Sequence, residues 1–282
     1  MTALFGQVVF VVWRESVEAL LVVGILQGWI AHHGNARAAT ARYFLWAGVA
    51  AGMAGAALLA AVILSLASLL EGDREDYFQI TMAGLAALLI LQMVVWMHRQ
   101  GRGLKQELER GAERALTGHN WLGLFFLAAI AVMREGSETV VFLYGLFASA
   151  SDTNLPGSIA AVAVGFALAA AFYWLIQMAA RRFPWSIFFR VTEVLLLALA
   201  ASLLMTALDR AIGLELVSPL SGSLWDTSWL LDDTGRLGGL VAAMTGYRAR
   251  PELTTVLVYT LYWIAAVALL RSARPRAAER AL

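Results

Sequence analysis

The chain has 282 residues, 60% of them hydrophobic and only 15% charged, with a formal net charge of +1 and no cysteine. A soluble domain carries about 25% charged residues, so this composition excludes an ordinary soluble globule, and the missing cysteines exclude disulfides and thiolate metal ligands. The mean hydropathy of +0.71 and several apolar runs longer than about 18 residues predict an all-α polytopic membrane protein, since a transmembrane β-barrel would alternate polar and apolar residues.

Seven transmembrane helices are predicted, over 4–30, 43–70, 77–98, 121–149, 158–180, 187–209 and 253–271. The first opens in MTALFGQVVF, which has no basic n-region and does not read as a removed signal peptide. Inside it lies WRESVEALLV, residues 13–22. The pairs Gly24 and Gly28, then Gly48 and Gly52, read as close helix contacts. The third span begins F-Q-I-T-M and ends QMVVWM, residues 92–97. The fourth contains MREGSETVVF, residues 133–142, and the sixth begins F-R-V-T-E, residues 189–193. Trp29, Trp46, Trp96, Trp121 and Trp185 fall near span ends, where an aromatic belt would put them.

The connections carry their charge unevenly. Arg37 and Arg42 lie in 31–42, Lys105 and four arginines in 99–120, Arg181 and Arg182 near 181–186, and four arginines in the tail. The alternate connections hold 11 acids against 5 arginines, among them EGDRED at 71–76. Basic loops stay cytoplasmic, so the N-terminus is predicted outside and the C-terminus inside. The outer acids form a field able to gather cations, although EGDRED alone also reads as a solvated loop. His32, His33, His98 and His119 all fall on the inner side or at its edge.

The two R-E-x-x-E motifs lie 120 residues apart and the F-x-x-T starts of spans three and six 111 apart. Units of three spans insert with opposite orientations, so the reading is two inverted three-helix repeats plus a seventh helix. Residues 1–98 form the first repeat, 99–120 a basic cytoplasmic loop and 121–209 the second repeat. Residues 210–252 form an extracytoplasmic segment, and 253–282 the seventh helix with a basic tail. In such plans the substrate site lies near the midplane, at the repeat interface.

A charge at the bilayer centre costs at least about 2.5–3.5 kcal/mol, so Arg14, Glu15, Glu18, Arg134, Glu135 and Glu138 must face protein or water. Residues three and four apart share a helix face, so each arginine can orient one glutamate and leave the other free. Four carboxylates and two guanidiniums carry a formal charge of −2, or −3 if Glu193 joins them. Such a cluster calls for a cation or protons. All-oxygen ligation suits hard ions, and Mg²⁺, Ca²⁺, Mn²⁺ and iron all remain open on that chemistry. A single motif reads equally well as a buried ion pair; two copies at matching positions favour a site.

RESVE and REGSE resemble the paired motifs of the oxidase-dependent iron transporter family, the high-affinity iron permeases. QMVVWM is similar to that family's Met-x-x-Trp-Met ending. LWDTSWLL (224–231), GYRARP (246–251) and Tyr259 resemble the outer segment of its bacterial ferrous-iron-uptake branch. The resemblance covers nearly the whole chain. It implies that Glu15, Glu18, Glu135 and Glu138 bind iron in passage, with Arg14 and Arg134 as orienting partners. Iron, ferric or ferrous, is then a transported substrate, with no permanently bound cofactor and no enzymatic role. The implied setting is the bacterial inner membrane, with membrane lipid around the chain and no nucleic acid. The implied partners are a periplasmic cupredoxin-like iron-binding protein and a haem peroxidase, or a copper oxidase.

Other candidates weigh less. Glu193 reads as a ligand or proton acceptor, or as a partner of Arg190. Gln92, Met93 and Met97 read as an exit lining or as packing. Asp226, Asp232 and Asp233 are candidates for outer cation capture, although Asp226 could equally cap a short surface helix. Two competing functions are a non-transporting anchor for a periplasmic iron-oxidising complex and an intramembrane metalloenzyme. No H-E-x-x-H motif supports the latter, and no ATP-binding P-loop is present.

Overall fold

A computed structural model of the protein describes residues 2–33, 38–100, 121–148, 155–179 and 185–273. The basic stretch 101–120 with His119, and the tail 274–282, lie outside them, as do the side chains of His32, His33 and Trp185. The described residues form eight helices: α1 (Thr2–His33), α2 (Ala38–Ser68), α3 (Asp73–Gln100), α4 (Trp121–Ala148), α5 (Leu155–Ala179), α6 (Trp185–Gly213), α7 (Arg236–Thr245) and α8 (Leu253–Ala273). Among these residues no strand forms; one isolated antiparallel bridge joins Ser223 and Glu252.

Each predicted span falls on one long helix. Several helices outrun the predicted limits because their ends suit the helix dipole. Asp73, Glu75 and Asp76 occupy the first turn of α3, so all of EGDRED but Glu71 and Gly72 is helical rather than loop. Arg210 lies in the last turn of α6. It donates to the backbone carbonyl of Ala148 at the end of α4 and to Gln79 on α3, and pairs with Asp76 at 3.5 Å, tying three helix ends together.

Five of the helices, α2, α3, α5, α6 and α8, are long and apolar enough to cross a membrane. The chain is a multi-pass helical membrane protein. The other two long helices, α1 and α4, are those interrupted by an Arg-Glu pair and a second glutamate.

Packing follows the glycines. α2 lies along α4, α5 along α1, and α3 against α6, while α1 and α4 touch each other. A Cβ on Gly48 would strike the Phe125 carbonyl, and one on Gly52 would sit 2.7 Å from that of Ala129. On α5, a Cβ at Gly165 would come within 2.9 Å of the Val9 carbonyl on α1. Backbones this close require a missing side chain. Gly24 faces the Tyr173 hydroxyl, whereas a Cβ added at Gly28 would meet no atom within 4 Å.

Two apolar clusters result. One joins Val22, Leu26 and Ile30 of α1 to Ala41 and Leu45 of α2 and to Leu124 and Ala128 of α4. The larger joins Val8, Val11 and Val12 of α1 to α3, α6 and α8, and to Val141, Phe142 and Leu146 of α4. Both motif helices pass from one cluster to the other, and their charged residues fall in the gap between.

Candidate metal centre

On α1, Arg14 and Glu15 are buried at 2% and 1% exposure. The Arg14 guanidinium uses one terminal nitrogen on Glu15, at 2.7 Å, and the other on Glu18, at 2.5 Å. The same two nitrogens face the sulfurs of Met93 (2.9 Å) and Met97 (3.8 Å) on α3. On α4, Arg134 pairs through Nε with Glu138 at 3.0 Å and lies farther from Glu135, at 3.9 Å. Its guanidinium stacks 4.1 Å from the centre of the Trp96 ring, a cation–π contact.

Because α1 and α4 cross in the gap between the apolar clusters, the two motifs meet. One carboxylate oxygen from each of Glu15, Glu18 and Glu135 lies within 4.8 Å of the others. Oε2 of Glu15 and Oε2 of Glu138 are buried with no hydrogen-bond partner. Buried carboxylate oxygens without donors are costly. Hard oxygen donors gathered at this spacing match what Mg²⁺, Ca²⁺, Mn²⁺ or iron takes as ligands.

Glu193 of α6 is not one of those three. Its Oε1 lies 3.3 Å from Nδ1 of His98, the residue after Met97 on α3. The partner considered from sequence was Arg190; the observed one comes from another helix. Trp96 likewise contacts Arg134, although its position near a span end pointed to a belt. One helical face signalled this: residues 93, 96 and 97 are three and four apart. The run 93–98 of α3 thus touches Arg14, Arg134 and Glu193.

The outer aspartates are engaged locally. Asp226 accepts from the Ser228 hydroxyl at 2.5 Å and from its N–H at 2.9 Å, and pairs with Arg250 at 3.0 Å. Asp232 accepts from the Thr234 N–H and hydroxyl, and Asp233 from the Ala249 N–H. These bonds, those of Ser228 first, hold Asp226 below the usual carboxylate range; the Thr234 N–H and hydroxyl do the same for Asp232. The three acids shape the loop around LWDTSWLL, where Thr227 meets the Tyr247 hydroxyl at 2.6 Å.

Comparison with known proteins covers the whole chain. The family described as Iron permease FTR1 family matches residues 5–274. An uncharacterized protein of Archaeoglobus fulgidus is 31% identical over 292 residues, covering 100% of this chain and 99% of that protein. A ferrous iron permease EfeU of Escherichia coli O6:H1 is 27% identical, covering 91% of this chain and 92% of its own length. That of Yersinia pestis is 26% identical over 92% of this chain and 90% of its own. No solved structure matches.

Proposed function

This chain belongs to the iron permease FTR1 family, and from that premise we propose that it carries iron into the cytoplasm through the Glu15, Glu18, Glu135 and Glu138 cluster. The observation that carries the reading is the convergence of three carboxylate oxygens from two helices within 4.8 Å, between two apolar clusters. The names of the relatives point to the same cargo, being ferrous iron permeases.

All seven long helices span the bacterial inner membrane in this reading, as two inverted repeats plus α8, with the acidic connections outside. The reciprocal packing of α2 on α4 and of α5 on α1 supports the repeat, because a two-fold axis exchanging α1 with α4 turns one contact into the other. Iron is gathered by the acidic face, with Asp226, Asp232 and Asp233 contributing charge there. The periplasmic suppliers are those implied by the resemblance, a cupredoxin-like protein with a haem peroxidase, or a copper oxidase. The ion then passes to the glutamates, and Glu193 with His98 stands next on its way inward. A membrane potential adds about 2.3 kcal/mol per charge per 100 mV.

Proteoliposomes holding the purified chain test this. They should accumulate iron, and Glu15→Gln, Glu18→Gln, Glu135→Gln and Glu138→Gln should each lower uptake while the protein still inserts, since Gln keeps the shape and loses the charge. Wild-type uptake by any two of the four would defeat the four-carboxylate site. An absence of uptake by the native chain would favour the anchoring role instead.

A further inference from the structure

Between α6 and α8 the chain makes a helix of ten residues, α7. Residues 237–247, LGGLVAAMTGY, contain no charge, and Arg236 and Arg248 bracket them. A charge-free run this short cannot span a bilayer but suits an element that enters and leaves by one face.

Three neighbouring helices measure how deep it goes. The Gln7 side chain on α1 donates to the Ala243 carbonyl at 2.5 Å. Ser202 on α6 donates to that of Ala242 at 3.3 Å, and Tyr259 on α8 to that of Thr245 at 3.1 Å. At 1.5 Å per residue these donors lie about 8 Å from the start of α1, about 16 Å from the end of α6 and about 9 Å from the start of α8. α8 has 21 residues, about the 30 Å thickness of the hydrocarbon, so its start marks the edge of the apolar layer. The end of α7 therefore lies well inside that edge.

The donors fit that depth. A helix end in water leaves its last carbonyls to solvent; in lipid each needs a protein donor. Gln7 and Ser202 are themselves buried. Gly246, in the left-handed region at φ 76°, returns its N–H to the Ala242 carbonyl at 2.8 Å, and the Thr245 hydroxyl donates to Val241 at 2.7 Å. The buried face is small: a Cβ at Gly246 would sit 3.1 Å from the Ala201 carbonyl. The opposite face is apolar and open, with Leu237 76% and Val241 39% exposed.

We infer that α7 is a re-entrant half-helix, entering the bilayer from the acidic side with Leu237, Leu240 and Val241 against phospholipid acyl chains. This rests on the seven-span reading of the proposed function. It makes Gln7, two turns outward of Arg14, a positioning residue that fixes a lipid-embedded roof beside the outer half of α1.

The native chain has no cysteine, so single-thiol variants need no background removed. Leu237→Cys, Val241→Cys, the exposed loop variant Trp229→Cys and the α8 variant Leu261→Cys are labelled with bimane in detergent and reconstituted. Quenching by acyl-brominated phospholipid is compared with quenching by aqueous iodide. Labels at 237, 241 and 261 should be quenched at least several-fold more by the brominated lipid than by iodide, and the label at 229 the reverse. Iodide quenching at 237 and 241 with lipid quenching at 261 would overturn the re-entrant helix and leave the spans standing. Iodide quenching at 261 as well would overturn both. A second measurement uses Gln7→Ala. Loss of the Ala243 bond should raise iodide access at Val241 at least two-fold; unchanged access would remove Gln7 from its positioning role.

Discussion

At the first motif Arg14 is 2% exposed and binds both of its glutamates through separate nitrogens. At the second, Arg134 keeps 38% of its side chain exposed, binds Glu138 closely and stacks on Trp96. The two stretches share R-E-x-x-E, yet one is locked and the other open. The lock comes from α3, whose Met93 and Met97 sulfurs back the Arg14 guanidinium, and whose Trp96 presents only an aromatic face to Arg134. The lesson is that a repeat in sequence need not repeat in role. One arginine is a fixed part of the wall, while the other leaves Glu135, at 3.9 Å, less committed and, in the proposed function, available to the cation.

The largest effect expected from that asymmetry is on uptake. Glu135→Gln should cut iron uptake efficiency in proteoliposomes by about 100-fold, while Glu138→Gln, which removes a carboxylate already committed to Arg134, should cut it by about 10-fold, the lower end of what losing a supporting group costs a metal site. Equal losses would mean that the two glutamates are interchangeable and that the asymmetry has no functional weight.

Stability should show the opposite ranking of sites. Arg14→Ala strands Glu15 in a buried position, and removing one partner of a buried pair costs about 3–5 kcal/mol. Arg134→Ala removes an arginine that is 38% exposed, against 2% for Arg14, and should cost less than half as much, since the more open guanidinium is better screened. Thermal unfolding in detergent reads the difference. Arg14→Lys should recover only part of the loss, because an ammonium cannot reach two carboxylates with a planar fork. A full rescue by Lys would show that charge alone, not geometry, holds the first motif.

Much of the centre was legible because insertion physics forbids idle charges at mid-span. Arg14, Glu15, Glu18, Arg134, Glu135 and Glu138 stand out for that reason, and spacing puts each set on one helix face. What spacing cannot give is the partner on another helix. Met93, Trp96 and His98 lie 79, 38 and 95 residues from their partners Arg14, Arg134 and Glu193, and the shared helix face of 93, 96 and 97 does not say which helix it meets. α7 escaped for a different reason. It is short, it carries Gly238 and Gly239 in its first turn, and glycine disfavours a helix interior by about 1 kcal/mol. Its stability comes from Gln7, Ser202 and Tyr259, which are remote in sequence. Asp226, with the polar context of a helix cap, closes a turn instead: it accepts from Ser228 as Asp232 does from Thr234, while Asp233 accepts from the Ala249 N–H across the loop.

The smallest expected effect separates arrival of the cation from its binding, and so guards the comparison between the motifs. Glu71, Asp73, Glu75 and Asp76 lie at the start of α3, the outer end in the proposed function; Asp76 is 3.5 Å from Arg210, and Glu75 accepts from Gln79 at 2.9 Å. In that reading their common contribution to uptake is a diffuse negative field, which ions screen over about 8–10 Å at physiological strength. Replacing all four by Asn or Gln should weaken uptake about two- to three-fold at low iron and low salt, and the deficit should vanish as salt rises. The maximal rate should hold, because neither motif is touched. The ranking of Glu135→Gln below Glu138→Gln should also survive in that background, since capture precedes both. A loss of maximal rate that salt does not relieve would mean that these acids act through Arg210 and the helix ends it ties. The difference between the motifs would then have to be remeasured with those ends intact, because a shifted α3 would move Met93 and Trp96 together.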